Sequence, residues 1–122
     1  MTEESTPWPT ELRVSNDRKS LSIAFDNGER HELSAEYLRV CSPSAEVKGH
    51  APSQKKTIPG KRNVEIMKVE PVGNYAVRIH FDDMHNSGIF SWRYFLELGQ
   101  QREKHWGVYL EELSQKGLSR DT

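Results

Sequence analysis

Hydrophobic and polar residues alternate along several stretches of the chain, which is the pattern of β-strands that bury one face. The hydrophobic positions of these stretches are Leu12 and Val14, then Leu21, Ile23 and Phe25, then Val64, Ile66 and Val69, and finally Tyr75, Val77, Ile79 and Phe81. Two shorter strands are expected at 30–33 and from residue 89, each after a turn rich in Asp, Asn and Gly. The pattern therefore predicts six short strands.

Three helices are predicted from capping residues and from helical spacing. Ser34 and Ser91 each stand directly before a hydrophobic run, AEYLRV and WRYFLEL, where a serine side chain can cap the first turn. Gly99 is expected to end the second run, and Gly117 a final helix. One buried face of that final helix is predicted from Trp106, Tyr109, Leu110 and Leu113.

Segments 21–38 (LSIAFDNGERHELSAEYL) and 77–96 (VRIHFDDMHNSGIFSWRYFL) resemble each other once small insertions in the second are allowed. The equivalent pairs are Phe25 and Phe81, Asp26 and Asp82, Ser34 and Ser91, and Tyr37 and Tyr94. Two copies are too few for a repeat array. We therefore predict a small single α+β domain built from two similar strand–strand–helix units, with a long middle loop and a C-terminal helix.

The domain is expected to span residues 10–117, between flexible tails at 1–9 and 118–122, with Trp8 docking the first tail. The middle block, 41–62, holds three prolines and two glycines and has no periodicity. Five of its residues between 48 and 62 are basic and none there is acidic. Loops of this length in compact domains are often functional or mobile, so an exposed loop is expected.

The composition excludes several classes of protein. One cysteine in 122 residues excludes an internal disulfide and a zinc site made of several cysteines of one chain. Lys and Arg number 17 against 18 Asp and Glu, so nucleic-acid binding is not expected. No apolar run is long enough to span a membrane, and the N-terminus lacks the apolar segment of a signal peptide. We expect a cytoplasmic protein.

The histidines do not form a recognisable catalytic or metal motif. His80 and Asp82 have the spacing of two ligands in a non-haem iron site. The alternation, however, places His80 on the outer face of its strand and Asp82 in a turn, and the jelly roll that carries such sites needs about eight strands. His31 and His105 are expected at the surface, and His85 in a turn.

The middle block offers candidate nucleophiles and cations. Ser42 and Ser44 lie in no nucleophile motif, so turn and cap roles are expected. Cys41 is either a reactive thiol beside Arg39 or, more simply, a partly buried and inert one. The cations Lys55, Lys56, Lys61 and Arg62 complete no phosphate-loop motif, which favours a solvated loop over an anion site.

Three motifs, EYLRVCSPSAEVKGH, PGKR and EPVGNYAVRIHFDDMHNSGIFSW, together resemble a known family. The chain is similar to small bacterial proteins of unknown function whose domain recurs at the N-terminus of gamma-butyrobetaine dioxygenase. The resemblance covers residues 10–115, and a similar domain is attached to some P-loop iron–sulphur carrier proteins. It implies a small α+β fold and a link to dioxygenase or iron–sulphur systems.

In the dioxygenase branch, the resemblance implies a structural zinc held by three cysteines and a later histidine. Carried over position by position, the cysteines fall on Ser42, Ser44 and Val47, and the histidine falls on His85. Cys41 lies one residue before the first ligand position. Hydroxyl groups and a valine cannot replace thiolates at zinc, so no cofactor is expected. We predict instead that hydroxyl–imidazole or hydroxyl–carboxylate hydrogen bonds substitute for the metal.

The catalytic iron domain of the related dioxygenase has no counterpart in this chain, so an enzyme is not expected. The leading hypothesis is a non-catalytic binding or accessory module for a partner protein. Its expected interaction residues are Cys41, Ser42, Ser44, His50, Lys55, Lys56, Lys61, Arg62, Asp83 and His85. The alternative is a zinc-binding module with an altered ligand set, drawn from Cys41, His50, Asp83 and His85. The oligomeric state stays open.

Overall fold

The structure, a computed structural model, describes residues 7–43, 57–86 and 88–121. Three strands followed by a helix occur twice along the chain. The first unit contains β1 (Pro9–Val14), β2 (Ser20–Phe25), β3 (Arg30–Ser34) and α1 (Ala35–Val40). The second contains β4 (Ile66–Val72), β5 (Ala76–Phe81), β6 (Ile89–Ser91) and α2 (Trp92–Gln100), after which comes α3 (Arg102–Gln115). The predicted α+β domain of two similar units is confirmed.

Each unit forms its own antiparallel sheet, in the order β1-β2-β3 and β4-β5-β6. In the first sheet Leu21 pairs with Leu33, and in the second Val77 pairs with Phe90. The predicted alternation in β5 is confirmed, because Val77, Ile79 and Phe81 are buried. Tyr75 departs from the alternation: it precedes β5 and is exposed.

The core lies between the sheets and the first two helices. Its fully buried side chains include those of Leu21, Ile23, Leu33, Leu38, Ile66, Ile79, Phe90, Phe95 and Leu98. The helices begin as the sequence predicts. Ser34 Oγ accepts the N–H of Tyr37 at 3.0 Å, and Ser91 Oγ accepts the N–H of Tyr94 at 3.1 Å. Both serines therefore satisfy backbone groups that a helix start leaves open.

The helix α1 lies inside the domain although it carries two charges. All six of its residues are buried, including Glu36 and Arg39. Glu36 accepts two hydrogen bonds from the guanidinium of Arg120, at 2.8 and 2.7 Å. Buried charges are tolerated when they are paired and hydrogen-bonded. This pairing attaches the C-terminal segment to α1.

The segment expected to be a flexible C-terminal tail has defined partners in the domain. Ser119 and Arg120 carbonyls accept the N–H groups of Gly60 and Arg62, at 2.9 and 3.1 Å. The Asp121 carboxylate accepts two hydrogen bonds from Arg62. Two backbone hydrogen bonds and one ion pair therefore hold this segment against residues 60–62. At the other end of the chain, Trp8 docks through its backbone while its ring is half exposed.

The buried stripe of α3 is narrower than its sequence predicts. Tyr109 and Leu113 are buried and Trp106 packs beside them, but Leu110 is 40% exposed. Residues 106, 109 and 113 already complete one stripe, and residue 110 lies next to it around the helix. No helix in the described part of the chain is long and apolar enough to cross a membrane.

Two helical glycines are expected to respond in opposite ways to replacement by alanine. At Gly99 in α2, a Cβ would overlap the ring of His31, whose Cδ2 would be 2.7 Å away. Gly99→Ala should therefore lower the free energy of unfolding by about 1–2 kcal/mol. At Gly107 in α3, an added methyl group would have no other atom within 4 Å. Gly107→Ala should raise that free energy by about 0.5–1 kcal/mol. Urea unfolding measures both, and equal shifts would contradict the assigned packing of His31.

Candidate functional site

The candidate site lies where the end of α1 meets the turn that follows β5. Ser42, just after α1, is fully buried, and His85 in the turn is 6% exposed. Ser42 Oγ and His85 Nε2 share a hydrogen bond of 2.9 Å. A Cβ on Gly88 would overlap Ser42 Oγ, so only glycine leaves room for this bond. The turn is therefore fastened to the end of α1 by a buried hydroxyl–imidazole contact.

A charged cluster fastens the same turn at Asp83. Arg39 Nε donates to Asp83 Oδ2 at 2.8 Å, and Lys61 Nζ approaches the same oxygen at 2.6 Å. Asp83 Oδ1 accepts the N–H of His85 at 3.2 Å. Burial alone would raise the pKa of Asp83, but hydrogen bonds from Lys61 and Arg39 lower it to about 2. The carboxylate is thus charged at neutral pH and joins α1, residue 61 and the turn.

The turn has the same hydrogen bonds as the turn of the first hairpin. In each turn, the phenylalanine that ends the strand donates its N–H to the carbonyl of the residue four positions later, at 2.8 Å in the first turn and 2.9 Å in the second. The carbonyl of the same phenylalanine accepts the N–H of the residue three positions later, at 3.1 and 3.2 Å. In each, the second turn residue accepts the N–H of the fourth through a side-chain oxygen, at 3.0 and 3.2 Å. The equivalent positions are Asp26 and Asp82, Asn27 and Asp83, Gly28 and Met84, and Glu29 and His85.

The first aspartate of each turn adds a further equivalence. Asp26 exchanges two hydrogen bonds with the backbone of Trp8, the residue before β1. Asp82 exchanges two with the backbone of Glu65, the residue before β4. The backbone hydrogen bonds of the two turns are therefore the same, and the differences are in the side chains and in the greater length of the second segment.

One difference between the turns is conformationally costly. The third turn position has positive φ in both, +92° at Gly28 and +73° at Met84. Glycine adopts this conformation without a steric penalty, whereas a residue with a Cβ does not. The Met84 side chain is 88% exposed, so its own packing does not compensate for the penalty.

The family model described as gamma-butyrobetaine hydroxylase-like, N-terminal, matches residues 12–96. The chain belongs to the gamma-butyrobetaine hydroxylase-like N-terminal family. It has no match among the curated proteins compared with it.

Three solved structures resemble this family member over most of its length. Two are solution NMR structures, with 41% and 43% identity and a TM-score of 0.81 each; they align with 96% and 98% of this chain and with 92% and 90% of their own. The third is a crystal structure of a protein of unknown function of the DUF971 family from Acidithiobacillus ferrooxidans, with 35% identity and a TM-score of 0.65. It aligns with 78% of this chain and 98% of its own. These likenesses establish the family and the fold.

Of the residues predicted for the site in this family member, the structure brings four together: Ser42, Lys61, Asp83 and His85. The backbone carbonyl of Cys41 accepts a hydrogen bond from the Tyr94 hydroxyl at 2.5 Å, and the residue is partly exposed. Arg62 pairs with Asp121 instead. The remaining predicted residues, Ser44, Val47, His50, Lys55 and Lys56, lie outside the described residues.

Sequence reasoning missed three residues of the site: Arg39, Met84 and Gly88. Arg39 could have been found as the single cation in the short, mostly hydrophobic run AEYLRV. Met84 could have been found by aligning the two turns, which places it opposite Gly28. The candidate iron pair is not formed, because His80 Nε2 contacts Glu70 Oε1 at 3.0 Å while Asp82 binds the backbone of Glu65.

The residues of the site do not fit the zinc that the resemblance implies for the dioxygenase branch of the family. Ser42 stands at the first thiolate position, and hydroxyl groups are not ligands of such sites. His85 Nε2, the nitrogen nearest to that position, already shares a hydrogen bond with Ser42. Within residues 7–43, 57–86 and 88–121, no three His, Cys, Asp or Glu side chains group so that they could hold a metal ion.

Proposed function

We propose that this chain is a non-catalytic, cytoplasmic binding module that recognises a partner protein through the turn 82–86. The observation that carries the proposal is Met84, an exposed methionine at a positive-φ position that the equivalent turn fills with Gly28. The attachment of similar domains to dioxygenases and iron–sulphur carriers supports a partner from those systems.

Met84 lowers the stability of the turn, and its exposed side chain gains little from packing against the described part of the chain. A left-handed conformation costs a residue with a Cβ about 1–2 kcal/mol. The first hairpin shows that the same turn closes with glycine, so the fold does not require methionine here. Strained residues persist where they serve a function, and flexible thioethers are common at protein-binding surfaces. A contact with another molecule accounts for both the strain and the exposure.

The residues on either side of Met84 hold it in place. Asp83 is fixed by Arg39 and Lys61, and His85 is fixed by Ser42. The side chain therefore projects from a backbone that is already ordered before any partner binds. Preorganisation of this kind lowers the entropic cost of association.

A polar groove of about 380 Å³ adjoins the turn and completes the proposed surface. It runs between the turn, the end of the middle block and the C-terminal segment. Its charged lining residues are Lys61, Arg62, Asp82, Asp83, Arg120 and Asp121. An apolar contact beside a charged and hydrogen-bonding groove has the composition of a protein interface with a polar rim.

The contact between Ser42 and His85 does not support a hydrolase. A serine and a histidine at 2.9 Å have the separation of a nucleophile and its base. The hydroxyl is fully buried, however, so a substrate could not approach it. Asp83 accepts the backbone N–H of His85 instead of orienting the ring, as the third member of a catalytic triad would. The pair is therefore assigned a structural role.

Met84→Gly tests the proposal because it should separate stability from binding. The variant should lose partner capture while its free energy of unfolding stays equal or rises by up to about 1 kcal/mol, since glycine removes the strain. Proteins captured from a lysate of the source cells on immobilised wild type and variant give the first readout, and urea unfolding gives the second.

Two controls make the comparison specific. Met67→Ala removes the other exposed methionine of the described chain and should leave the captured proteins unchanged. Gly28→Ala introduces strain without any clash in the first turn and should cost about 1 kcal/mol without affecting capture. If Met84→Gly captured the same proteins as the wild type, the turn would not be the binding surface.

A further inference from the structure

We propose that Met84 is a site of reversible oxidation by hydrogen peroxide, and that its sulfoxide switches off docking by the turn 82–86. This inference rests on the proposed function, because it concerns regulation of the same surface. It adds that oxidation of one methionine controls whether the surface binds its partner.

Met84 is more exposed to solvent than the other described methionine. Met84 is 88% exposed, whereas Met67 is 52% exposed. Met67 lies in β4, where its carbonyl accepts a hydrogen bond from the Arg18 side chain and its neighbours Ile66 and Lys68 pair with β5. Because methionine oxidation follows exposure, peroxide should reach Met84 first.

The reaction is a two-electron oxygen transfer. The peroxide O–O bond breaks, one oxygen forms a bond to the methionine sulfur, and the other leaves as water after proton transfer. The sulfur is oxidised and the peroxide is reduced. A methionine sulfoxide reductase with a dithiol reverses the step: the sulfoxide oxygen leaves as water, and the dithiol becomes a disulfide.

The effect of oxidation should be confined to the surface. The turn is held by the contacts of Asp83 with Arg39 and Lys61 and of His85 with Ser42, and none of these three contacts uses the Met84 side chain. Oxidation of Met84 therefore leaves these contacts in place. The new S–O dipole replaces an apolar group, and an interface built for a thioether must desolvate it without a matching donor.

The chemical part is tested on the purified full chain with hydrogen peroxide, followed by peptide mapping in a mass spectrometer. Sulfoxide at Met84 should form at least roughly twice as fast as at Met67. The thermal midpoint should stay unchanged, and reductase with dithiothreitol should restore the original mass. Slower oxidation of Met84 than of Met67, or unfolding on oxidation, would overturn the inference.

The functional part uses the proteins that the wild-type bait captures and the Met84→Gly bait does not. Oxidised wild type should lose them by at least about fivefold, as truncation of an important contact does. Peroxide-treated Met84→Leu keeps an apolar side chain and should retain them, and reductase treatment of the oxidised wild type should recover them. Retention by the oxidised wild type would overturn the switch alone, whereas capture by Met84→Gly would overturn the proposed function itself.

Discussion

Asp83→Asn is expected to lower the free energy of unfolding by about 3 kcal/mol, because it takes the carboxylate away from a buried guanidinium. Arg39 is 4% exposed, and Asp83 Oδ2 contacts both Arg39 and Lys61. Asparagine has nearly the same shape, so the loss reports on charge and not on packing. Urea unfolding at neutral pH measures it.

Asp121→Asn provides a matched control. Asp121 contacts Arg62 at 2.6 Å, as short as the contact between Lys61 and Asp83, but both residues of this pair are exposed. Exposed pairs contribute about 0–1 kcal/mol, so this variant should lose far less than Asp83→Asn. Equal losses in the two variants would show that the charge cluster at Asp83 does not organise the site.

Acid provides a second measure of the same cluster. The pKa of Asp83 is lowered to about 2 in the folded protein, below its ordinary value of 3.8 in the unfolded chain. The stabilisation is therefore fully present above about pH 4, and it is lost as the pH falls towards 2. The loss should amount to about 2 kcal/mol in the wild type, and this part of the acid dependence should be absent from Asp83→Asn.

Gly88→Ala is expected to cost about 3 kcal/mol, because the new methyl group needs the space that Ser42 Oγ occupies. The added carbon would also press on Phe90, whose Cε1 would be 3.2 Å away. Both neighbours are fully buried, so neither can turn into solvent. Equilibrium unfolding of the single variant measures the cost.

Adding Ser42→Ala to Gly88→Ala identifies the clash as its cause. Ser42→Ala alone should cost about 1–2 kcal/mol through loss of the hydrogen bond to His85. In the double variant the Ser42 oxygen is absent and its Cβ would be 3.4 Å from the new methyl group, an ordinary contact. The double variant should then be less destabilised than the sum of the single variants by at least about 1 kcal/mol. Additive losses would contradict the assigned packing.

The architecture followed from local patterns that act within a few residues of one another. Ser34 and Ser91 cap helices directly before the hydrophobic runs, and the alternating hydrophobic residues of β5 are buried as predicted. Leu110 could not be placed in the same way, because helical spacing gives the direction of a face but not the width of the surface that covers it. Contacts of the C-terminal segment depend on partners about sixty or more residues away in sequence, at Gly60, Arg62 and Glu36.

Only part of the candidate site could be predicted from the sequence. The family resemblance predicts that the turn of Ser42 meets the turn of Asp83 and His85 through hydroxyl–imidazole or hydroxyl–carboxylate hydrogen bonds, and the structure has the hydroxyl–imidazole bond between Ser42 and His85. The role of Arg39 could not be foreseen, since nothing local shows that its partner is Asp83, 44 residues later. The strain at Met84 could be recognised only from the backbone torsion angles, because the residue type alone does not determine φ.

The buried charges of α1 have a consequence for how the chain folds as it is synthesised. Glu36 and Arg39 leave the ribosome long before Asp83 and Arg120, which follow Arg39 and Glu36 by 44 and 84 residues respectively. Burying these charges without their counter-ions is unfavourable, so α1 cannot enter the core early. The first unit must wait for the last residues of the domain, and folding is completed only after Arg120 has been translated.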